Sequence, residues 1–173
     1  MILGVGGGLD SIGIKFAKSM GVHVIAIDSA NKMAFCQTLG ADAFIDYPQT
    51  SDVAAHLRSI SGDGCTTALV VAPSRRSYEQ ACGMLRKEGT LVCIGLPFES
   101  FNLPLSPMDY VVNGYRVTAV NTNSTQEIEQ ALEFAAQHHI TPRVEVFPRE
   151  RVEEALKALQ RQEVIGSIVL NLR

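Results

Sequence analysis

The residues able to do chemistry are concentrated at the start of this chain. Ile2-Leu3-Gly4-Val5 reads as a short strand that runs into Gly6-Gly7-Gly8, then Leu9 and a helix. Glycines at such a turn permit positive φ and let backbone N–H groups approach a ligand closely. The following helix adds partial positive charge at its first turn. Strand, turn and helix together make a seat for a pyrophosphate. A second strand ends in Asp28, twenty residues after Gly8, and no arginine follows it. A carboxylate there is placed to hold the ribose hydroxyls of an adenine dinucleotide and to repel a 2′-phosphate, which favours NAD over NADP. The same glycines could instead form a tight turn with no ligand, and Asp28 a solvated strand end.

Other candidates are sparse. Cys36, Cys65, Cys82 and Cys93 lie far apart, with no Cys-x-x-Cys pair and no Cys/His cluster at metal spacing. They read as reduced, buried small hydrophobes of a cytoplasmic protein. His23, His56, His138 and His139 show no ligand spacing, and the last two suit the C-terminal end of a helix. Tyr47, Tyr78, Tyr110 and Tyr115 are followed four residues later by Ser51, Cys82, Gly114 and Ala119. A self-sufficient reductase with a Tyr-x-x-x-Lys base is thereby set aside. No residue is assigned a catalytic role and none a metal.

The elements that must position the glycine turn follow from the hydrophobic pattern. Short runs rich in Val, Ile and Leu fall at Ile2–Val5, His23–Asp28, Ala43–Asp46, Thr67–Val71, Thr90–Ile94 and Arg116–Val120. Strands apolar on both faces are the mark of a buried parallel sheet. Helical patterns lie between them at Ser11–Met20, Lys32–Leu39, Asp52–Ser61 and Arg75–Arg86, with Gly21, Gly40, Gly62 and Gly89 placed as C-terminal caps. Strands alternating with single helices predict an α/β fold of Rossmann type: a doubly wound, mainly parallel sheet with helices on both faces. Pro97–Pro107 reads as a loop, Thr125–His138 as an amphipathic helix, and the end as strand Arg143–Phe147, helix Arg149–Arg161 and strand Ser167–Leu172. A boundary near Thr141-Pro142 divides a dinucleotide-binding unit, 1–142, from a tail, 143–173.

Composition agrees with this reading. The 173 residues are 46% hydrophobic, and 15 basic residues against 18 acidic ones give a net charge of −3. That balance argues against nucleic-acid binding and against disorder. No apolar run reaches the ~18 residues of a membrane span, and the N-terminus lacks the features of a signal peptide.

An ordered set of motifs goes further: Gly4-Val5-Gly6-Gly7-Gly8-Leu9, Ala17-Lys18-Ser19-Met20-Gly21, Ile27-Asp28, Leu39-Gly40-Ala41-Asp42, Gly89-Thr90-Leu91-Val92-Cys93-Ile94-Gly95-Leu96-Pro97 and Val164-Ile165-Gly166-Ser167-Ile168-Val169. Over nearly its whole length the chain resembles the C-terminal, cofactor-binding half of a zinc-dependent medium-chain alcohol dehydrogenase of the yeast and fungal type. The resemblance implies an oxidoreductase origin, with hydride passing between an alcohol or carbonyl carbon and NAD. It implies that Gly4 and Gly6 to Leu9 meet the pyrophosphate, that Asp28 meets the adenosine ribose with Lys32 assisting, and that Val71, Ile94 and Leu96 flank the nicotinamide.

The departures from the family are as informative. The zinc-bearing catalytic domain that precedes this half in the family has no counterpart here, so the chain alone is expected to be inactive. The last glycine of the family's turn falls at Asp10, which suits a helix start but sets a carboxylate beside the pyrophosphate. The family's Gly-Arg, whose arginine pairs with that pyrophosphate, is Gly166-Ser167. Both changes oppose cofactor binding, so a non-catalytic remnant or interaction module with weakened nucleotide binding is the alternative. In relatives the tail returns to the catalytic domain. Val144, Val146, Ile168, Val169 and Leu170 therefore need cover from the core, a separate zinc-domain chain or a second copy. The strand Arg116–Val120, followed by Asn121 and Thr122, leaves an edge for a homodimer.

Overall fold

In a computed structural model, which describes residues 1–4, 7–119, 124–161 and 163–172, the chain forms a six-stranded sheet with a two-stranded sheet beside it. The large sheet is built from β1 (Ile2–Leu3), β2 (Ile25–Asp28), β3 (Ala43–Asp46), β4 (Cys65–Val70), β5 (Leu85–Cys93) and β6 (Arg116–Ala119). Its order is β3-β2-β1-β4-β5-β6, and every pairing is parallel. The order reverses between β1 and β4, and open α/β sheets bind ligands in the crevice at that point.

Alternation along the strands divides the core between two faces. Leu3, Ile25, Ile27, Ile45, Val70 and Leu91 pack with residues of α3 (Val53–Ser61) and α4 (Arg75–Met84). Ile2, Val24 and Ala26 pack on the opposite side with Ile14 of α1 (Gly8–Ser19) and Cys36 of α2 (Met33–Thr38). Helices therefore cover both faces, as the sequence pattern predicts. None of the four cysteines is in a disulfide, and Cys36, Cys65 and Cys82 are buried.

Two elements differ from their predicted form. Arg75–Arg86 was expected as one helix capped by Gly89, but α4 stops at Met84. Leu85 turns to extended backbone, φ −67° and ψ 139°, and buries its side chain beside Cys65 as the first residue of β5. The positive φ falls on Glu88, at 61°. Gly89 serves a different need: a Cβ there would stand 2.7 Å from the Arg86 carbonyl oxygen. Because a left-handed conformation costs an L-residue roughly 1–2 kcal/mol, Glu88→Gly is expected to stabilise the fold by about 0.5–1 kcal/mol in urea denaturation. Unchanged or lower stability would mean that the Glu88 side chain, which lies against Gly114, offsets its strain.

The second difference is α5 (Pro107–Asn113), which follows the proline-rich loop. Ser106 and Asp109 cap its start reciprocally, Pro107 opens its first turn, and Gly114 ends it at φ 65°. No residue of α5 is buried. Met108, Val111 and Val112 stand at i, i+3 and i+4 on it, but all three are exposed, and the run is only seven residues long behind a proline-rich loop, so periodicity is a weak signal for it.

The chain then returns across α1. In α6 (Thr125–Gln137), Phe134 stacks on Phe16 of α1 with ring centroids 5.4 Å apart. Lys15 Nζ donates to the Thr141 carbonyl at 2.8 Å, between α6 and the tail. The tail comprises β7 (Val144–Pro148), α7 (Val152–Gln160) and β8 (Ser167–Asn171), with β7 and β8 paired in parallel. Val144, Val146, Val169 and Leu170 are exposed. At the far edge of the large sheet all four residues of β6 are exposed, while Val120, Asn121 and Thr122 lie outside the described residues. Among the described residues no helix is long and apolar enough to cross a membrane.

Candidate nucleotide-binding site

The carboxyl ends of β1, β4 and β5 meet at the reversal point through close backbone contacts. Gly4 leaves β1 at φ 89°, its N–H donating to the Ile27 carbonyl at 3.1 Å. A Cβ at Gly4 would lie 2.7 Å from Ala72 Cβ and 2.8 Å from its nitrogen. Val71 N–H donates to the Leu3 carbonyl at 3.2 Å, and Ile94 N–H to the Val70 carbonyl at 3.2 Å. Val71 and Ile94 thus follow the paired ends of β4 and β5 at the carboxyl edge of the sheet, both half-buried, whereas Leu96 is 83% exposed. Gly95 permits the tightest backbone approach of this corner, because a Cβ there would stand 2.2 Å from the Val71 carbonyl oxygen.

Tyr78 of α4 locks this corner. Its hydroxyl donates to the Gly95 carbonyl at 2.5 Å and its ring packs against Phe101. Sequence reasoning considered Tyr78 only as a base and missed this role. The available signal is its place on the apolar stripe of α4, since a buried tyrosine hydroxyl needs a partner.

The glycine turn opens α1. Gly6 lies outside the described residues. Gly7 is the N-cap, in extended conformation, and Gly8 and Leu9 form the first turn, with Leu9 exposed. Asp10 is 2% exposed, and its Oδ2 accepts the Gly7 N–H at 3.1 Å. It therefore caps the helix as its sequence position predicts, and in doing so takes up an amide of the glycine turn. The tail closes over the same turn. Gly166 bridges Gly7 in parallel, and Ser167 Oγ lies 1.9 Å from where a Cβ on Gly8 would be. The tail's hydroxyl fills the space that a side chain at Gly8 would take.

Asp28 ends β2 opposite Asp46 of β3. The Ser29 N–H donates to Asp28 Oδ1 at 2.7 Å and the Ser29 hydroxyl at 3.2 Å, which orients the carboxylate at the strand end. Lys32 ends the short turn after β2. It is 7% exposed, and its Nζ donates to the Val164 carbonyl in the tail at 3.4 Å.

Asp10, Asp28 and Lys32 form one electrostatic group. Burial pushes the Asp10 carboxyl up to about 6, the Gly7 N–H opposes that shift, the Asp28 charge adds to it and the Lys32 charge opposes it. The same surroundings raise the Cys36 thiol to about 11, burial again leading. The folded state thus binds the Asp10 proton more tightly than the unfolded chain. The resulting stabilisation is full below about pH 4 and is lost as the pH rises through about 6. Among the described residues no group of three or more His, Cys, Asp or Glu side chains is gathered to hold a metal ion. The residues present do not fit a zinc site.

A parallel sheet in this order, with a glycine turn opening α1 and an acidic residue closing β2, defines a Rossmann-type domain of the dehydrogenase class. Residues 8–137 match the family model described as zinc-binding dehydrogenase, more than half of the chain, and the chain belongs to that family. It is 34% identical over 168 residues to an alcohol dehydrogenase of Geobacillus stearothermophilus, covering 96% of this chain and 48% of that protein. It is 30% identical over 171 residues to alcohol dehydrogenase 2 of Caenorhabditis elegans, covering 99% and 48%. The alcohol dehydrogenase of Aeropyrum pernix superposes with a TM-score of 0.86 at 22% identity, covering 98% of this chain and 49% of that one. The chain spans about half the length of the curated relatives it matches and corresponds to their cofactor-binding half.

Proposed function

We propose that this chain is the NAD(H)-binding half of an alcohol dehydrogenase-like oxidoreductase. The observation that carries this reading is Gly4 leaving β1 and Gly7 and Gly8 opening α1, with the Asp28 carboxylate at the adjacent strand end. Asp28 would bond the adenosine ribose, Gly7 and Gly8 would present the first turn of α1 to the pyrophosphate, and Val71 and Ile94 would border the nicotinamide. Gly6 and Leu9 belong to the same seat by their sequence position. When bound, the dinucleotide supplies a hydride acceptor or donor. This chain's own residues bind and orient it, exclude water and discriminate at the 2′-hydroxyl. The alcohol-side chemistry belongs to no residue identified here, so we expect no turnover from the chain alone. A separate zinc-bearing chain, or a second copy, would cover the exposed apolar residues of β7 and β8.

Calorimetric titration with NAD and NADP tests the reading. A hydrogen bond to a charged group contributes about 1.5–3 kcal/mol, or roughly 10- to 100-fold in affinity. NAD should therefore bind at least tenfold more tightly than NADP, and Asp28→Ala should lose most of that preference by weakening NAD. Equal affinity for the two cofactors in the unmodified chain would remove Asp28 from the ribose.

A second reading, a non-catalytic module with weakened nucleotide binding, is favoured by Asp10 on the Gly7 amide and by serine at position 167. Turnover of an alcohol on addition of a zinc-bearing partner chain would exclude it.

A further inference from the structure

The chain leaves β5 on a segment that one side chain holds at two points. At its start the Gly95 peptide is fixed on three sides. Its N–H donates to the Val70 carbonyl at 2.9 Å, its Cα stands so close to Val71 that a Cβ would lie 2.2 Å from the carbonyl oxygen, and its own carbonyl accepts the Tyr78 hydroxyl at 2.5 Å. Six residues later Phe101 packs on the ring of the same Tyr78, with centroids 5.5 Å apart and planes tilted by 48°. Leu103 and Leu105 then carry the segment on against the core. Between the two anchors Leu96 and Phe98 are exposed.

Tyr78 is 3% exposed on α4. A phenylalanine there would supply the same burial and the same contact with Phe101. What the hydroxyl adds is a fixed orientation for one peptide plane. Gly95 has no Cβ to restrict its own backbone, so that orientation is set by the groups that hold it. The bond also runs between elements, from α4 to the turn after β5, and so ties the turn to the helix that packs behind it.

Resting on the nucleotide reading above, we propose that Tyr78 is a positioning residue for the nicotinamide end of the dinucleotide. It holds the turn from Ile94 to Leu96 as a preformed border against which the ring docks. Tyr78 touches no ligand atom itself and acts through Gly95, whose neighbours flank the ring. Without the hydroxyl the ligand must order the turn as it binds, and that cost is subtracted from its affinity. The cost falls on the nicotinamide contacts alone, because the ribose and pyrophosphate contacts belong to Asp28 at the end of β2 and to Gly7 and Gly8 at the start of α1.

Calorimetric titration of the full chain with NADH and with ADP-ribose tests the assignment. ADP-ribose has the same adenosine and pyrophosphate but no nicotinamide. Tyr78→Phe keeps the ring on Phe101 and removes the bond to Gly95. We expect it to weaken NADH about threefold to tenfold, the range of one neutral hydrogen bond, and to change ADP-ribose less than about twofold. A smaller loss for NADH, or a larger one for ADP-ribose, would overturn the positioning role while leaving the nucleotide site in place; the second result is what a general loosening of the fold would give. If circular dichroism shows that Tyr78→Phe does not fold, Phe101→Leu frees the other end of the segment and should separate the two ligands in the same way. Binding of neither ligand to the unmodified chain overturns the nucleotide reading itself, and the positioning role with it.

Discussion

Replacing Asp10 by glycine and Ser167 by arginine together should tighten NADH binding on the order of a hundredfold at pH 7.5. The estimate uses the lower ends of two effects. Two like charges about 4 Å apart repel by about 1–4 kcal/mol, depending on the effective dielectric. A charge-assisted hydrogen bond to phosphate contributes about 1.5–3 kcal/mol. Their sum is at least about 2.5 kcal/mol, close to two decades in affinity. Position 167 is suited to the change because its Oγ already occupies the side-chain space of Gly8 at the turn. An arginine there starts from the first residue of β8, beside the turn.

The Asp10 change should not weaken the fold at neutral pH. Asp10→Gly forfeits an N-terminal carboxylate, about 0.3–1 kcal/mol, but relieves the burial of a charge whose proton affinity is raised to about 6. Fluorescence titration of the two single variants and the double variant, at low and high salt, separates the terms. The gain from Ser167→Arg should shrink as salt screens it. A folded double variant with the affinity of the unmodified chain would show that neither residue limits binding.

Gly4→Ala is the substitution with the largest expected effect on stability. It forces an L-residue to φ 89° and drives a Cβ to within 2.8 Å of the Ala72 backbone nitrogen. The conformational part costs roughly 1–2 kcal/mol and the overpacking about 1–3 kcal/mol. Together they approach the total stability of a small domain. The strain falls on the junction of β1 with β4, where the candidate site is anchored, so nucleotide binding should be lost with it.

Gly21→Ala is the control. Gly21 has a similar φ of 74°, but nothing lies within 4 Å of the added atom, so only the conformational cost of roughly 1–2 kcal/mol applies. Equal losses for the two variants in chemical denaturation would mean that the close approach of Gly4 to Ala72 contributes nothing.

Gly4 was legible in the sequence as part of a turn, but the backbone it approaches was not. Ala72 is distant in sequence and reaches Gly4 only because β4 pairs with β1. Lys32 shows the same division. Its place after β2 was readable from local pattern, yet its ammonium points to the Val164 carbonyl, which the chain delivers only after four further strands of the large sheet and most of the tail. Asp10 was readable as a helix-start carboxylate beside a phosphate seat. Its burial was not, because the tail residues that close over the turn are more than 150 positions away.

The sequence by itself determined the alternation of strands and helices, the glycine turn, the acid at the end of β2 and the family. Each is a local signal: period-two or helical hydrophobicity, backbone freedom at glycine, or a motif read in order. It left Glu88 and α5 unread, because a lone positive φ leaves no pattern and a seven-residue helix holds less than two turns of one. Only the tertiary structure decided that β5 begins at Leu85, that Tyr78 holds the Gly95 corner, that Ser167 rests on Gly8 and that Asp10 is buried enough to keep a proton near pH 6. The physical reason is common to all four. Burial and close backbone approach are properties of segments far apart in the chain, and they exist only once the sheet has brought those segments together.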